Sequence, residues 1–254
     1  MLDTVHSLEQ HNREIHANRQ AWERKPALRA VYRDFHARLA ESLAPLDGLT
    51  VELGSGNGTI KETLPDCITT DIFPNPWLDR VENAYALSFG EATVANLILF
   101  DVWHHLRYPG AALREIRRVL VPGGRLLIFD PAMGAVGRLA YGLFHHEPLG
   151  LNKPITWDPP PEWSPGRADY YAAQGNAWRM FQQLDIPAGR LNGFTLRGVH
   201  YDAALSYLLT GGFRGPSLLP MAAFDAVRRL DHILSRAPRC FASRMLVVLE
   251  KNKD

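Results

Sequence analysis

Disulfides, membrane spans and a strong charge of either sign are what this 254-residue sequence has little of. Cys67 and Cys240 are its two cysteines, so one bridge is the most it allows and nothing suggests even that; a reducing cytoplasm is the expected setting. No apolar run approaches the ~20 residues that cross a bilayer. The start, "MLDTVHSLEQHNREIHANR", has no apolar stretch of the kind a signal peptide needs. Net charge is +1 and the pI about 7.9. The densest basic groups, Arg114/Arg117/Arg118 and Arg228/Arg229, read as wet faces of helices, so a nucleic-acid surface is not expected. There is no internal repeat and no low-complexity tract.

What is present is apolar patterning: 46% hydrophobic residues, enough for one core with some left for a lid. From Gln20 to Leu43, apolar residues at Leu28, Val31, Tyr32, Phe35, Leu39 and Leu43 have helical spacing. "LTVEL" then reads as a buried strand and "GTIKETL" as the first turns of a helix. "CITTDI", a short piece of "VENAYAL", "VANLILF" and "RLLIFD" read as further strands. The helix "GAALREIRRVL", broken by Pro122, precedes the last of these. Strands alternating with helices imply a parallel sheet covered on both faces. After Asp130 the rhythm stops. Val136, Leu139, Ala140, Leu143 and Phe144 suggest an amphipathic helix, and the Pro- and Trp-rich "NKPITWDPPPEWSPG" suggests a functional loop. The tail offers two helices, "DAALSYLLTGGF" and "MAAFDAVRRLDHIL", and a final strand, "SRMLVVLEK". The expected organisation is a helical cap over 1–45, a core over 46–132 and 194–254, and a lid or substrate subdomain over 133–193.

In "VELGSGNGTIKETLPDCITTDIF", glycines at 54, 56 and 58 alternate at a strand-to-helix turn, and Asp71 follows 17 residues after the first. Such a turn lets a ligand approach the backbone and exposes N–H groups to it. The dinucleotide fingerprint places its third glycine one residue later. "VELGSGNG" resembles motif I of the class I S-adenosylmethionine-dependent methyltransferases. "ENAYALSF", "LFDVWHHL" and "RVLVPGGRLLI" resemble three later motifs of that superfamily, in the right order over about 80 residues. "GLFHHEPLGL" and "SYLLTGGFRGPSLLP" are similar to a type 11 methyltransferase-like bacterial subgroup.

The resemblance implies a Rossmann-like, seven-stranded, mostly parallel sheet in an α/β/α sandwich, with a lid inserted after strand five. It also implies S-adenosyl-L-methionine as cofactor. Gly54, Ser55, Gly56 and Gly58 would cradle it and Glu52 would approach its amino group. Asp71 would take the ribose hydroxyls and Ile72 would lie against adenine. Asn83, where the family often has Asp, and Ala84 would meet the adenine edge. Phe100, Asp101 and His105 would stand near the sulfonium.

Methyl transfer from sulfur is an in-line displacement that mainly needs alignment and desolvation. A base is needed only where the acceptor holds its proton, as a hydroxyl does. His104 and His105 follow strand four, at the edge where open α/β sheets bind ligands, and histidine titrates near neutrality. The superfamily often has His in "HHL" whatever the substrate, which also fits a structural hydrogen bond. His145, His146 and Glu147 form a second cluster. His104 and His145 are the expected bases. A metal site joining the two histidine pairs is not expected, because the spacing matches no compact ligand motif.

"FDVW" stands where amino-methylating DNA enzymes carry an Asn/Asp-Pro-Pro-aromatic motif. A Pro-Cys motif and the acidic set of magnesium-dependent catechol-type enzymes are missing too. Small molecules, sugars and lipid-linked compounds are left as acceptors. Trp157, Trp163, Tyr170, Tyr171, Trp178 and Phe181 crowd the lid, where they suit sugar rings or apolar tails, or form a small core of their own. Arg29 and Tyr32 are placed to close over the cofactor's carboxylate. The helix at Val136–Phe144 has too few basic residues to argue for a membrane surface. The leading expectation is O-methylation of a small-molecule, sugar or lipid-linked hydroxyl. The alternatives are a non-catalytic cofactor-binding protein and an NAD-dependent oxidoreductase.

Overall fold

The computed structural model describes residues 8–167 and 170–253, so the first seven residues of the expected cap lie outside the described residues. Two helices precede the sheet, α1 (Leu8–Arg24) and α2 (Pro26–Glu41), where the apolar spacing had suggested one beginning at Gln20. The break has a local cause. Pro26 is tolerated in a first helical turn but pushes Lys25 out of the helical region, to φ −117° and ψ 84°. Lys25 then turns its ammonium to the carbonyl of Gly212, at 2.5 Å, and to that of Gly215.

The sheet follows as β1 (Leu49–Leu53), β2 (Ile68–Asp71), β3 (Arg80–Val81) and β4 (Val94–Phe100). After helix α3 (Pro109–Val119) come β5 (Leu120–Pro131) and helix α4 (Ala135–Phe144). The chain returns to the sheet as β6 (Phe194–Asp202), then α5 (Leu205–Leu209), α6 (Phe224–Leu234), α7 (Pro238–Phe241) and β7 (Arg244–Lys251). The strand order is β3-β2-β1-β4-β5-β7-β6, parallel except for β7, which is antiparallel to both neighbours. This is the expected seven-stranded Rossmann-like sheet.

Alternation along the strands divides the core into two layers. Leu97, Leu99, Leu126, Ile128 and Val247 face one side, where α3 brings Leu113, Ile116 and Val119. Ile98, Phe100, Leu127, Phe129 and Leu246 face the other, against Leu28, Val31, Phe35 and Leu39 of α2. Burying each such side chain contributes roughly 1.5–3 kcal/mol. Trp157, Trp178 and Phe181, from the segment between α4 and β6, join the first layer.

Several local expectations change. "GTIKETL" forms one 3-10 turn, Thr59–Glu62, before Pro65. "DAALSYLLTGGF" yields only five helical residues, because Ala204 is left-handed at φ 49° and Gly211 and Gly212 are too. The apolar residues of α4 do not seek the core: Leu139, Leu143 and Phe144 are 61%, 68% and 86% exposed. The helix docks instead by Tyr141, which is buried, and by Gly137, where any Cβ would collide with the carbonyls of Ala132 and Ala242.

Arg228 also departs from its reading as a solvated residue. It is buried, at 2.8 Å from Asp34, 3.3 Å from Asp202 and 2.9 Å from Asp231. Asp231 in turn accepts from the backbone N–H of Leu205 (2.6 Å) and of Ser206 (3.2 Å), fixing the start of α5. Of the other basic group, Arg118 donates to the carbonyls of Leu87 and Phe89 at 2.8 and 2.9 Å. Removing one partner of a buried ion pair strands the other charge. Asp231→Ala should therefore lower stability in urea unfolding by about 3–5 kcal/mol. Arg229→Ala, one residue from Arg228 and exposed, should stay within ~0.5 kcal/mol. Equal, small losses in the two variants would show that the cluster does not hold α5.

Candidate active site

Because β2 and β3 run out on one side of β1 and β4 returns on the other, the carboxyl ends of β1 and β4 part and open a crevice. A cavity of about 1070 Å³ fills it.

One end of the cavity is the glycine turn. Gly54 and Gly56 adopt φ of +68° and +49°; a Cβ on Gly54 would strike Val102, and nothing lies near where one on Gly56 would stand. The turn is stitched to β2. Ser55 N–H donates to the Thr70 carbonyl (2.7 Å), Thr70 N–H donates to Ser55 Oγ (3.0 Å), and Gly56 N–H donates to Asp71 Oδ2 (3.1 Å). Asp71, at the end of β2, thus braces the turn while lining the cavity beside Ile72.

Glu52 is 3% exposed and, among the described residues, its Oε2 has no hydrogen-bond partner, although the residue borders the cavity. Burial, reinforced by Asp71 and opposed by Ser55, pushes its carboxyl up to about 7. A buried carboxylate with one oxygen unpartnered at the edge of a cavity is a receptor for a cationic group.

Asn83 is used twice within the fold. Its Oδ1 accepts from Tyr85 N–H (3.0 Å) and its Nδ2 donates to the Pro165 carbonyl (3.1 Å). An aspartate there would make only the first bond, so the amide ties the loop at Trp163–Pro165 to the rim beside Ala84. Phe100 and Asp101 close β4. Asp101 has a left-handed φ of 57°, rare for a side-chain-bearing residue, and is ion-paired with the buried Arg244. The Arg244 guanidinium lies 4.5 Å from the centre of the Tyr207 ring. Tyr32 lines the cavity, whereas Arg29 turns towards Glu62 at 3.7 Å.

The other end collects the histidines. His104 donates from Nδ1 to Asp130 Oδ1 at 3.0 Å. Its Nε2 lies 3.5 Å from Glu147 Oε2 and 3.2 Å from Gln174 Nε2. His105 donates from Nδ1 to the Tyr171 carbonyl at 2.8 Å, and its Nε2 lies 3.7 Å from Glu147 Oε1. Tyr170 Oη and Gln174 Nε2 also donate to Glu147. Burial alone would lower the His104 pKa; Asp130 and Glu147 outweigh it and raise it to about 10. His145 Nδ1 accepts the Glu147 backbone N–H at 3.3 Å, and burial lowers its pKa to about 4. The neutral His145 ring therefore carries its proton on Nε2. His146 is drawn away to Arg214, 2.7 Å from Nδ1, which also pairs with Glu14 of α1 at 2.6 Å. That link draws α1 and the 211–216 loop over the cavity. His105 thus sits with Glu147 and Tyr171. Asp130, Gln174 and Arg244 had not been singled out from the sequence.

The family model described as "Methyltransferase domain" matches residues 51–128, the stretch from β1 into β5. Over that stretch the chain carries a methyltransferase domain, in keeping with the S-adenosylmethionine-dependent methyltransferase motifs of its sequence. A Thermotoga maritima protein described as a SAM-dependent methyltransferase, possible histamine N-methyltransferase, is similar in structure at 14% identity. The match has a TM-score of 0.51 and covers 93% of this chain and 99% of that one. A Haloferax volcanii putative methyltransferase, solved with its Trm112 activator, aligns at 17% identity with a TM-score of 0.49, covering 93% of both chains. A geranyl diphosphate methyltransferase aligns at 12% with a TM-score of 0.47, covering 86% of this chain and 85% of that one. No curated protein matches the sequence. Among the described residues of this methyltransferase, no helix is long and apolar enough to cross a membrane.

Glu52 gives the methyltransferase a pH signature. Its carboxyl titrates near 7 when folded, against 4.5 ordinarily. Between those values the folded chain holds a proton that the unfolded chain has released. Stability from this group is therefore full below pH 4.5 and falls as pH rises to 7. At ~1.4 kcal/mol per unit the fall is about 3 kcal/mol. Glu52→Gln should remove most of it from the ligand-free protein, as urea unfolding at about pH 5 and pH 7.5 will measure. Parallel pH slopes in the two proteins would show that the carboxylate ionises without penalty.

Proposed function

We propose that the protein transfers the methyl group of S-adenosyl-L-methionine to a hydroxyl of a small acceptor carrying an apolar portion, such as a lipid-linked sugar or a prenyl-type alcohol. The observation that carries this reading is the continuity of the cavity. It runs from the glycine turn, Glu52 and Asp71 at one end to His104, His105 and Glu147 at the other. The exposed apolar residues Leu139 and Phe144 of α4, with Leu218, line its mouth.

The cofactor fits the first end. Gly56 leaves room for a ligand against its backbone, and the Glu52 carboxylate, with Oε2 unpartnered among the described residues, suits the amino group of the methionyl part. Asp71 is assigned to the ribose hydroxyls, with Ile72 and Ala84 along the adenine. Asn83 is assigned mainly to shaping the rim, since both its side-chain atoms already serve the fold. Phe100 and Asp101 lie between the two ends, where methyl and acceptor would meet. Bound there, the cofactor supplies an electrophilic methyl on a cationic sulfur.

The acceptor is assigned to the histidine end. Trp163, Tyr170 and Tyr171 border it and offer aromatic faces to a sugar ring, while α4 receives an apolar chain. Transfer from oxygen needs the hydroxyl proton removed. His104 is assigned to that activation by its place at this end of the cavity; Asp130 holds Nδ1, Nε2 stands beside Glu147 and Gln174, and its raised pKa reserves the neutral, proton-accepting ring for alkaline pH. His145 is not assigned to it, because its Nδ1 is taken by the Glu147 N–H. The region 133–193 then serves as the substrate-binding part and α1 as a cap.

Two measurements test this reading. Asp71→Ala should weaken calorimetric binding of S-adenosylhomocysteine by about 1–3 kcal/mol, the scale of hydrogen bonds to a charged group. Unchanged affinity would remove Asp71 from the site. With prenyl alcohols and lipid-linked sugars screened as acceptors, His104→Ala should lower turnover by ~10²–10⁴-fold at unchanged cofactor affinity. A normal rate in that variant, or transfer to amines alone, would overturn the hydroxyl reading.

A further inference from the structure

The corner formed by His104, His105, Glu147 and Gln174 has the arrangement of a metal centre, and four features point to it. First, His104 Nε2, His105 Nε2 and a Glu147 oxygen all lie within 4.8 Å of one another. His104 Nε2 lies 3.5 Å from Glu147 Oε2 and His105 Nε2 lies 3.7 Å from Glu147 Oε1, so the carboxylate spans the two rings. Ligands ~2.0–2.2 Å from a tetrahedral ion stand roughly 3.3–3.6 Å apart, so the three groups would need to draw together only modestly.

Second, both imidazoles are held in the orientation that metal ligands adopt. Each donates from Nδ1 to a fixed acceptor, the Asp130 carboxylate for His104 and the Tyr171 carbonyl for His105. Each thereby turns Nε2 towards the common point. A carboxylate or carbonyl behind a ligating histidine fixes the ring and makes the other nitrogen a better donor. Third, Gln174 is 2% exposed and its Oε1 has no partner among the described residues. A buried amide oxygen without a hydrogen bond costs free energy unless a donor or a cation meets it. Its amide nitrogen, meanwhile, is placed against both His104 Nε2 and Glu147. Rotation of the amide would bring Oε1 to the position the nitrogen now occupies, as a neutral oxygen ligand. Fourth, the corner opens onto the cavity assigned to the acceptor, so a coordination position can face substrate.

From this geometry we infer that His104 Nε2, His105 Nε2 and Glu147 bind one divalent transition-metal ion, with Gln174 Oε1 in reach as a further ligand. Two imidazoles and a carboxylate suit zinc, iron(II), manganese or cobalt, and lack the all-oxygen character that magnesium and calcium require. The ion would take the place of the proton otherwise carried on His104 Nε2. The sequence had argued against a metal site because no segment carries a compact motif. The fold resolves that objection by using adjacent histidines after β4, a carboxylate after α4 and an amide nearly thirty residues later. The four histidines are not all ligands: His145 and His146 turn to other partners.

The inference deepens the reading above and rests on it for its chemical role. With the ion bound, His104 would act as a ligand and not as the base; a hydroxyl at the open position would have a lowered pKa and give its proton to water in the cavity, which is what oxygen attack on a sulfonium methyl needs. Metal binding itself does not depend on that role, so the two can fail separately. The test is titration of the metal-stripped full-length protein with Zn²⁺ and with Co²⁺. Calorimetry follows the first and visible d–d absorption the second. S-adenosylhomocysteine binding is measured on the same samples.

The expected result is one ion per chain, with cobalt bands of a four- or five-coordinate site. His105→Ala and Glu147→Gln should each weaken metal affinity at least tenfold, while Asp71→Ala leaves it unchanged. Intact S-adenosylhomocysteine binding in the first two variants would show that they fold. A folded protein that binds S-adenosylhomocysteine but no Zn²⁺ or Co²⁺ would overturn the metal site and leave the methyltransferase reading standing. Metal bound with the same affinity in both ligand variants would place the ion elsewhere and equally overturn the proposal. A bound ion without hydroxyl methylation would retain the site and remove only its role.

Discussion

The parallel pairing of β1 with β4 is the constraint on which the rest of the molecule depends. Leu53 lies opposite Leu99 in that register, so the chain leaves β1 at Gly54 beside Phe100, the end of β4, with Asp101 next. β2 pairs on the other flank of β1, with Leu53 opposite Thr70, which brings Asp71 against the glycine turn. A one-residue slip in either ladder would turn Glu52 or Phe100 to the opposite face. The carboxylates around the turn, the left-handed Asp101 and the histidines after β4 are all placed by these two ladders. The packing layers on either side, α2 over Phe100 and α3 over Leu99, hold the register.

The parts of the fold that could be read from the sequence are those in which one physical signal dominates. "VANLILF" is uniformly apolar because β4 is buried on both faces, and the glycines at 54, 56 and 58 stand where φ is positive. β6 was the strand not distinguished. It lies at the sheet edge, most of its residues are partly or fully exposed, and Gly198 stands beside a break in its register. Its sequence therefore lacks the alternation that marks a covered strand. The shortened α5 escaped for another reason: the left-handed Ala204 has no signature and is imposed by the Asp202, Asp231 and Arg228 cluster.

The candidate site divides in the same way. The cofactor half is local in sequence, with strand, turn and second strand within about twenty residues, and was legible. The acceptor half is assembled from β4, β5 and the segment between α4 and β6. "HHL" and "HHEP" drew attention as residue types. Their pairing through Glu147, the support from Asp130 and the presence of Gln174 are products of tertiary structure. Arg228 shows the reverse error, since an arginine on an amphipathic helix usually faces water and here neutralises buried aspartates. Aromatic residues likewise divided by position: Trp157, Trp178 and Phe181 complete the core, whereas Trp163, Tyr170 and Tyr171 border the cavity.

The central claim is that the cavity beside the glycine turn presents Glu52, buried and without a partner at Oε2, to a cationic cofactor. Titrating S-adenosylhomocysteine calorimetrically in buffers of different ionisation enthalpy tests it most directly. At about pH 6.5 the empty site holds most of the Glu52 proton, and a ligand ammonium stabilises the carboxylate. Binding should therefore release a substantial fraction of one proton, and Glu52→Gln should abolish that release. Absence of binding, or binding with no proton exchange in the unaltered protein, would contradict the account.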